Sequence, residues 1–75
     1  MTVEQYESIL ESQHGVCAIC RNPESGRALA VDHDHTSGGV RSLLCSKCNT
    51  AIGLLQDSPE LADRVANYLR THTGP

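Results

Sequence analysis

Val3, Tyr6 and Leu10 recur at helical spacing with Ile9 beside them, while Glu4, Glu7 and Glu11 stand away from that face. Thr2-Val3-Glu4-Gln5 fits the capping box, in which residues one turn apart satisfy each other's free backbone N–H groups. The pattern predicts a helix from about residue 3 to 13, with Gly15 as its stop. Val16 then leads into a tight turn at the first cysteine pair, and Asn22-Pro23-Glu24-Ser25-Gly26 reads as a loop.

The period changes further on. Leu29, Ala30 and Val31 begin a short strand, Thr36-Ser37-Gly38-Gly39 signals a turn, and Val40 to Leu44 form the returning strand of a broad-tipped hairpin. Strict alternation would send Asp32 and His33 to opposite faces, so a site that uses both requires the strand to end or distort near Asp32. A second helix is expected over about 46–56, with Cys48 and Asn49 in its first turn and Ile52 and Leu55 on its buried side. Asp57-Ser58-Pro59-Glu60 has the form of a third helix start, Ser58 capping and Pro59 at the first helical position. Leu61, Val65 and Leu69, flanked by Ala62 and Tyr68, give this helix an apolar face expected to close the core. Thr71 to Pro75 is expected to fray.

Size then becomes the problem. Seventy-five residues without Trp or Phe, and with two Tyr, make one domain with a marginal core. Such a chain needs a staple. Cys17-x-x-Cys20 and Cys45-x-x-Cys48 each have the spacing that lets two sulfurs reach one ion, and four thiolates complete the closed tetrahedral shell of structural zinc. Disulfides are the alternative, but Met1-Thr2-Val3-Glu4 has neither the basic nor the apolar run of a secretory signal. Zinc is therefore expected, with folding coupled to its binding. No stretch approaches the roughly 20 apolar residues of a membrane span, and a soluble, intracellular protein is expected.

The formal charge is −3, and four thiolates with one Zn²⁺ take it to −5. Distribution matters more than the sum. Residues 1–16 carry three glutamates and no Lys or Arg, whereas Arg21, Arg27, Arg41 and Lys47 outnumber Glu24, Asp32 and Asp34 in residues 17–49. A divalent ion at Asp32 would be the largest local charge there, so phosphate could be attracted locally without a basic molecule overall.

Between the cysteine pairs runs Asp32-His33-Asp34-His35. The plain reading is a polar strand end, or a site that takes up transition metals without catalysis. Asn49 directly after Cys48 favours a chemical one. Asp32 and Asn49 supply hard oxygen ligands for Mg²⁺ or Mn²⁺, and His33 supplies a base whose ordinary pKa lies near neutrality. Asp34 is read as a solvated or supporting carboxylate, and His14 and His72 as surface residues. Arg41 is either a phosphate contact or an exposed cross-strand arginine near the acidic pair. Arg21 and Lys47 flank the zinc knuckles, where they either touch a phosphate backbone or are simply solvated.

Cys17-x-x-Cys20, Val31-Asp32-His33-Asp34-His35 and Val40-Arg41-Ser42-Leu43-Leu44-Cys45-Ser46-Lys47-Cys48-Asn49 together resemble the phage recombination endonuclease VII family, a branch of the HNH or His-Me finger nucleases. The resemblance spans roughly residues 17–55. It implies a small α+β, zinc-stapled ββα-metal fold with flanking N- and C-terminal helices, and a single nuclease domain over residues 1–75. By position it implies Asp32 and Asn49 as ligands of a catalytic Mg²⁺ or Mn²⁺, His33 as general base, and His35 as a phosphate-contacting or orienting group. The implied substrate is DNA, hydrolysed to 5′-phosphate and 3′-hydroxyl ends, in the host cytoplasm if the chain is phage-encoded. Ser42 stands where family members commonly have glycine. Junction-resolving members are intertwined dimers with a further helical domain, and this chain stops soon after its third helix, so the expectation is nicking or cleavage of duplex or branched DNA. The alternatives are a non-catalytic zinc module that binds nucleic acid or protein, and a nuclease subunit or oligomer targeted by a partner.

Overall fold

The computed structural model describes residues 1–24 and 26–72. The chain is a small α+β fold: α1 (Val3–Ser12), β1 (Ala30–His33), β2 (Val40–Leu44), α2 (Ser46–Leu54) and α3 (Pro59–His72). The capping box forms as expected. Thr2 Oγ1 accepts from the Gln5 N–H at 3.1 Å, and Gln5 Oε1 accepts from the Thr2 N–H at 2.8 Å. α1 ends one residue earlier than its pattern suggests, because His14 and Gly15 both turn left-handed and the Gly15 N–H closes onto the Leu10 carbonyl at 2.9 Å.

β1 and β2 pair antiparallel, and the register slips between Asp32 and His33: Asp32 faces Ser42, but His33 faces Val40. Arg41 is the extra residue. A distortion therefore falls opposite Asp32 and His33, but as a bulge in β2; within β1 Asp32 is buried and the adjacent His33 exposed, as alternation would have them. The hairpin tip is organised by Asp34, whose Oδ1 accepts from the N–H groups of Thr36 and Ser37 at 2.8 and 2.9 Å. Asp34 is thus the nucleus of a turn, a more specific role than solvated carboxylate.

The buried core is small, comprising Cys17, Leu29, Leu43 and Leu44, with Tyr6, Ile9, Leu10, Val31, Ile52 and the other cysteines packed against it. Gln13 is an unexpected member of the framework. Its Nε2 donates to the carbonyls of Val16 and Leu43, and its Oε1 accepts from the Leu43 N–H, so one side chain satisfies both outward backbone groups of a strand residue. The Tyr6 hydroxyl donates to the Leu29 carbonyl at 2.6 Å.

Two expectations are corrected. α3 does not close the core: Val65, Tyr68 and Leu69 are 42%, 63% and 49% exposed, and among the described residues the buried core takes none from this helix. The physical reason lies before it, where consecutive left-handed residues Gln56 and Asp57 turn the chain, while α1 and α2 already supply the side chains packed on the core. Thr71 and His72 do not fray but end α3, Thr71 Oγ1 donating to the Asn67 and Tyr68 carbonyls and His72 stacking near Tyr68 at 4.5 Å. Thr73, Gly74 and Pro75 lie outside the described residues. Ser58 caps α3 as expected, its Oγ accepting from the Leu61 N–H at 3.1 Å.

Candidate functional site

The cysteine pairs are brought together by two different local devices. Around Cys17 the chain turns so that the Cys17 N–H meets the Asn22 carbonyl and the Arg21 N–H returns to the Cys17 carbonyl, with Arg21 left-handed. At the second pair Cys45 is the N-cap of α2, its Sγ accepting from the Cys48 N–H at 3.5 Å. All four sulfurs lie within 4.8 Å of one another. A zinc ion with bonds of about 2.3 Å in a tetrahedron sets sulfurs about 3.8 Å apart, and the Cys20–Cys45 separation is 3.8 Å.

Electrostatics agree with that fit. Burial opposes ionisation of Cys17, but hydrogen bonds from the backbone of Cys45, Cys20 and Ile19 outweigh it and bring the thiol down to about 6. Cys48 goes the other way, pushed up to about 12 by burial and then by the neighbouring sulfurs. So crowded a tetrad resists full ionisation until a cation sits among the sulfurs. The donor set fits structural zinc.

Asp32 is 7% exposed, and both its oxygens are taken. Arg41 Nε donates to Oδ2 at 2.7 Å and Arg41 Nη2 to Oδ1 at 3.1 Å. The same guanidinium reaches Asp57, Nη2 donating to Oδ1 at 2.8 Å and Nη1 to Oδ2 at 3.1 Å. Hydrogen bonds to Asp32 and then to Asp57 hold Arg41 still more firmly protonated than usual. Arg41 in turn keeps the Asp57 carboxyl below the ordinary carboxylate range. His35 is near enough to favour the ionised forms of Asp34 and Asp57. The structure thus gathers Asp32, Arg41 and Asp57, with Asp34 and His35 at the margin.

His33 is exposed beside Val40 and lines an open groove against the α1 residues Glu4, Gln5, Ser8 and Ile9. Asn49 is exposed in the first turn of α2, placed there by the Cys45 cap. Neither side chain makes a hydrogen bond among the described residues. Lys47 is exposed on α2 and shares a hollow with Arg27, and Arg21 is exposed on its knuckle. Asp57 was not legible as a site residue, because its sequence context marks only a helix start. The one signal was an aspartate before a cap, a residue type that tolerates left-handed backbone.

A model of the recombination endonuclease VII family matches residues 1–71. The chain belongs to this family. It is 46% identical over 72 residues to the Gene 59 protein of Mycobacterium phage D29, an alignment covering 93% of this chain and 44% of that protein. It is 41% identical over 71 residues to the Gene 59 protein of Mycobacterium phage L5, covering 92% and 43% respectively. The chain therefore spans less than half the length of these relatives. No helix among the described residues of this endonuclease VII family member is long and apolar enough to cross a membrane.

The oxygen donors of Asp32 and Asn49 suit a hard divalent cation such as Mg²⁺. A buried carboxylate demands a positive partner, and at Asp32 that place is held by Arg41.

Proposed function

We propose that the chain is a metal-dependent DNA endonuclease of the His-Me finger (HNH) type. The observation that carries this reading is the β1–β2–α2 order with its register slip between Asp32 and His33, in a chain of the endonuclease VII family. The slip inserts Arg41 into β2 opposite the Asp32–His33 step and bends the hairpin where the two residues stand. The zinc knuckles support it from below, since Cys45 and Cys48 fix the turn from which Asn49 projects.

In this reading Asp32 and Asn49 hold Mg²⁺ or Mn²⁺, which when bound supplies Lewis-acid stabilisation of charge on the scissile phosphate and leaving oxygen. His33 takes a proton from the attacking water, and its exposure leaves it open to substrate. His35 orients or contacts phosphate. Arg21 and Lys47 contact the DNA backbone as point charges beside the zinc knuckles. The zinc has no part in the chemistry. A second reading, a nuclease module targeted by a partner, is favoured by the formal charge of −3, because Lys and Arg supply most non-specific DNA affinity.

Supercoiled plasmid incubated with the zinc-loaded chain in Mg²⁺ or Mn²⁺ tests the proposal. Nicked circles are expected, and their loss on adding excess EDTA briefly enough to spare the zinc. Plasmid that stays supercoiled with folded, zinc-loaded protein overturns it.

A further inference from the structure

Arg41 is the bulged residue of the hairpin, and its guanidinium is shared between two carboxylates that play different parts. Asp32 is buried and belongs to the proposed ion site. Asp57 lies outside the cysteine and His/Asp motifs, in a left-handed conformation that aspartate adopts only at some cost, φ 58°. The guanidinium engages both oxygens of each carboxylate through three nitrogens. Arg41 takes a lone pair on each oxygen of Asp32, so a divalent ion that approaches from the guanidinium's side must displace it.

We propose that Arg41 is a built-in competitor for the cation site at Asp32, and that Asp57 is the positioning residue that receives Arg41 when a divalent ion displaces it. The inference rests on the ion site of the proposed function and deepens it. In the metal-free chain Arg41 neutralises a buried carboxylate that would otherwise be unpaired. When Mg²⁺ or Mn²⁺ takes Asp32, the Nε–H of Arg41 gives up Oδ2 and Nη2 gives up Oδ1, while Nη1 and Nη2 keep their bonds to Asp57. The guanidinium then remains at the rim of the site with two freed N–H donors, from which an incoming phosphate oxygen can accept. Asp57 thus lowers the cost of releasing Arg41, since the guanidinium exchanges one of two carboxylates instead of losing its only one.

Opposite signs follow for the two partners. Asp57→Asn leaves Arg41 wholly to Asp32 and strengthens the competitor, so Mn²⁺ binding weakens about fivefold or more. Arg41→Gln removes the competitor, so Mn²⁺ binding tightens by a similar factor, and Arg41→Lys falls between. The measurement is Mn²⁺ titration of the zinc-loaded chain by calorimetry and electron paramagnetic resonance, counting only the binding that Asp32→Asn abolishes, with melting curves to verify folding. On the wild-type chain alone, the Arg41 Nε–H resonance in ¹⁵N spectra should shift during Mg²⁺ titration with the midpoint of the calorimetric binding. If Asp32→Asn leaves Mn²⁺ binding unchanged, the ion site fails and the inference with it. If Asp32 governs binding but both other variants leave affinity unaltered or move it the same way, or the Nε–H signal stays still at Mg²⁺ saturation, the inference fails alone.

Discussion

The Sγ atoms of Cys20 and Cys45 lie 3.8 Å apart although 25 residues separate them in the chain. That approach joins the loop after α1 to the first turn of α2, and hence the whole framework to the helix that presents Asn49. Zinc should therefore govern folding outright, as in other small zinc-bound domains. One zinc per chain is expected by elemental analysis. Prolonged chelation should abolish the cooperative melting transition and most helical circular dichroism, and Cys20→Ser should do the same without chelator.

Gln13 makes a second, independent framework prediction. Gln13→Ala leaves the Leu43 N–H on the outer edge of β2 without its partner, while the Leu43 carbonyl keeps the Ala18 N–H at 3.2 Å, and one such unpaired group costs about 1–3 kcal/mol. Melting of the zinc-loaded variant should drop by several degrees or more, and amide exchange should accelerate first at Leu43.

The exposure of α3 predicts a contrast between two apolar truncations. Val65→Ala, at a 42% exposed position, should change stability by about 0.5 kcal/mol or less. Leu43→Ala, at a fully buried one, should cost about 2–5 kcal/mol, enough to unfold much of so small a domain. Denaturant titration of both zinc-loaded variants checks it.

Acid should loosen the hairpin tip. N–H groups of Ser37 and Thr36 hold the Asp34 carboxyl below its ordinary value, so its contribution is complete above the ordinary carboxylate range and is lost as pH falls through the lowered value. Wild-type amides of Thr36 and Ser37 should lose protection as pH drops below about 4. Asp34→Asn, with nothing to titrate, should show a flatter dependence.

Local chemistry was the legible part of this molecule. The Thr2–Gln5 capping box, the Ser58 cap and both cysteine spacings involve residues at most three apart, and each formed where its pattern placed it. A distortion near Asp32 could be demanded from alternation, but not its place in β2. Three other features could not be read. Gln13 meets Leu43 across thirty residues, and a lone polar side chain carries no periodic signal. Arg41 could be placed on the strand across from the acidic pair, but its ion pairs could not, and Asp57 arrives only through two left-handed residues after α2. The apolar spacing of α3 told which side would be buried against a partner, but not that the core had already been filled from α1 and α2.

The central claim is that His33 acts as the base of a nuclease whose cation is held by Asp32 and Asn49. The most direct measurement is the single-turnover rate of DNA cleavage by zinc-loaded wild type, His33→Ala, Asn49→Ala and the double variant, at saturating Mg²⁺ and with matched melting curves. The account predicts that His33→Ala slows cleavage by about 10²–10⁴-fold, and that the double variant is little slower than the worse single one, because the residues act as a unit. A folded His33→Ala protein that cleaves at the wild-type rate would contradict it.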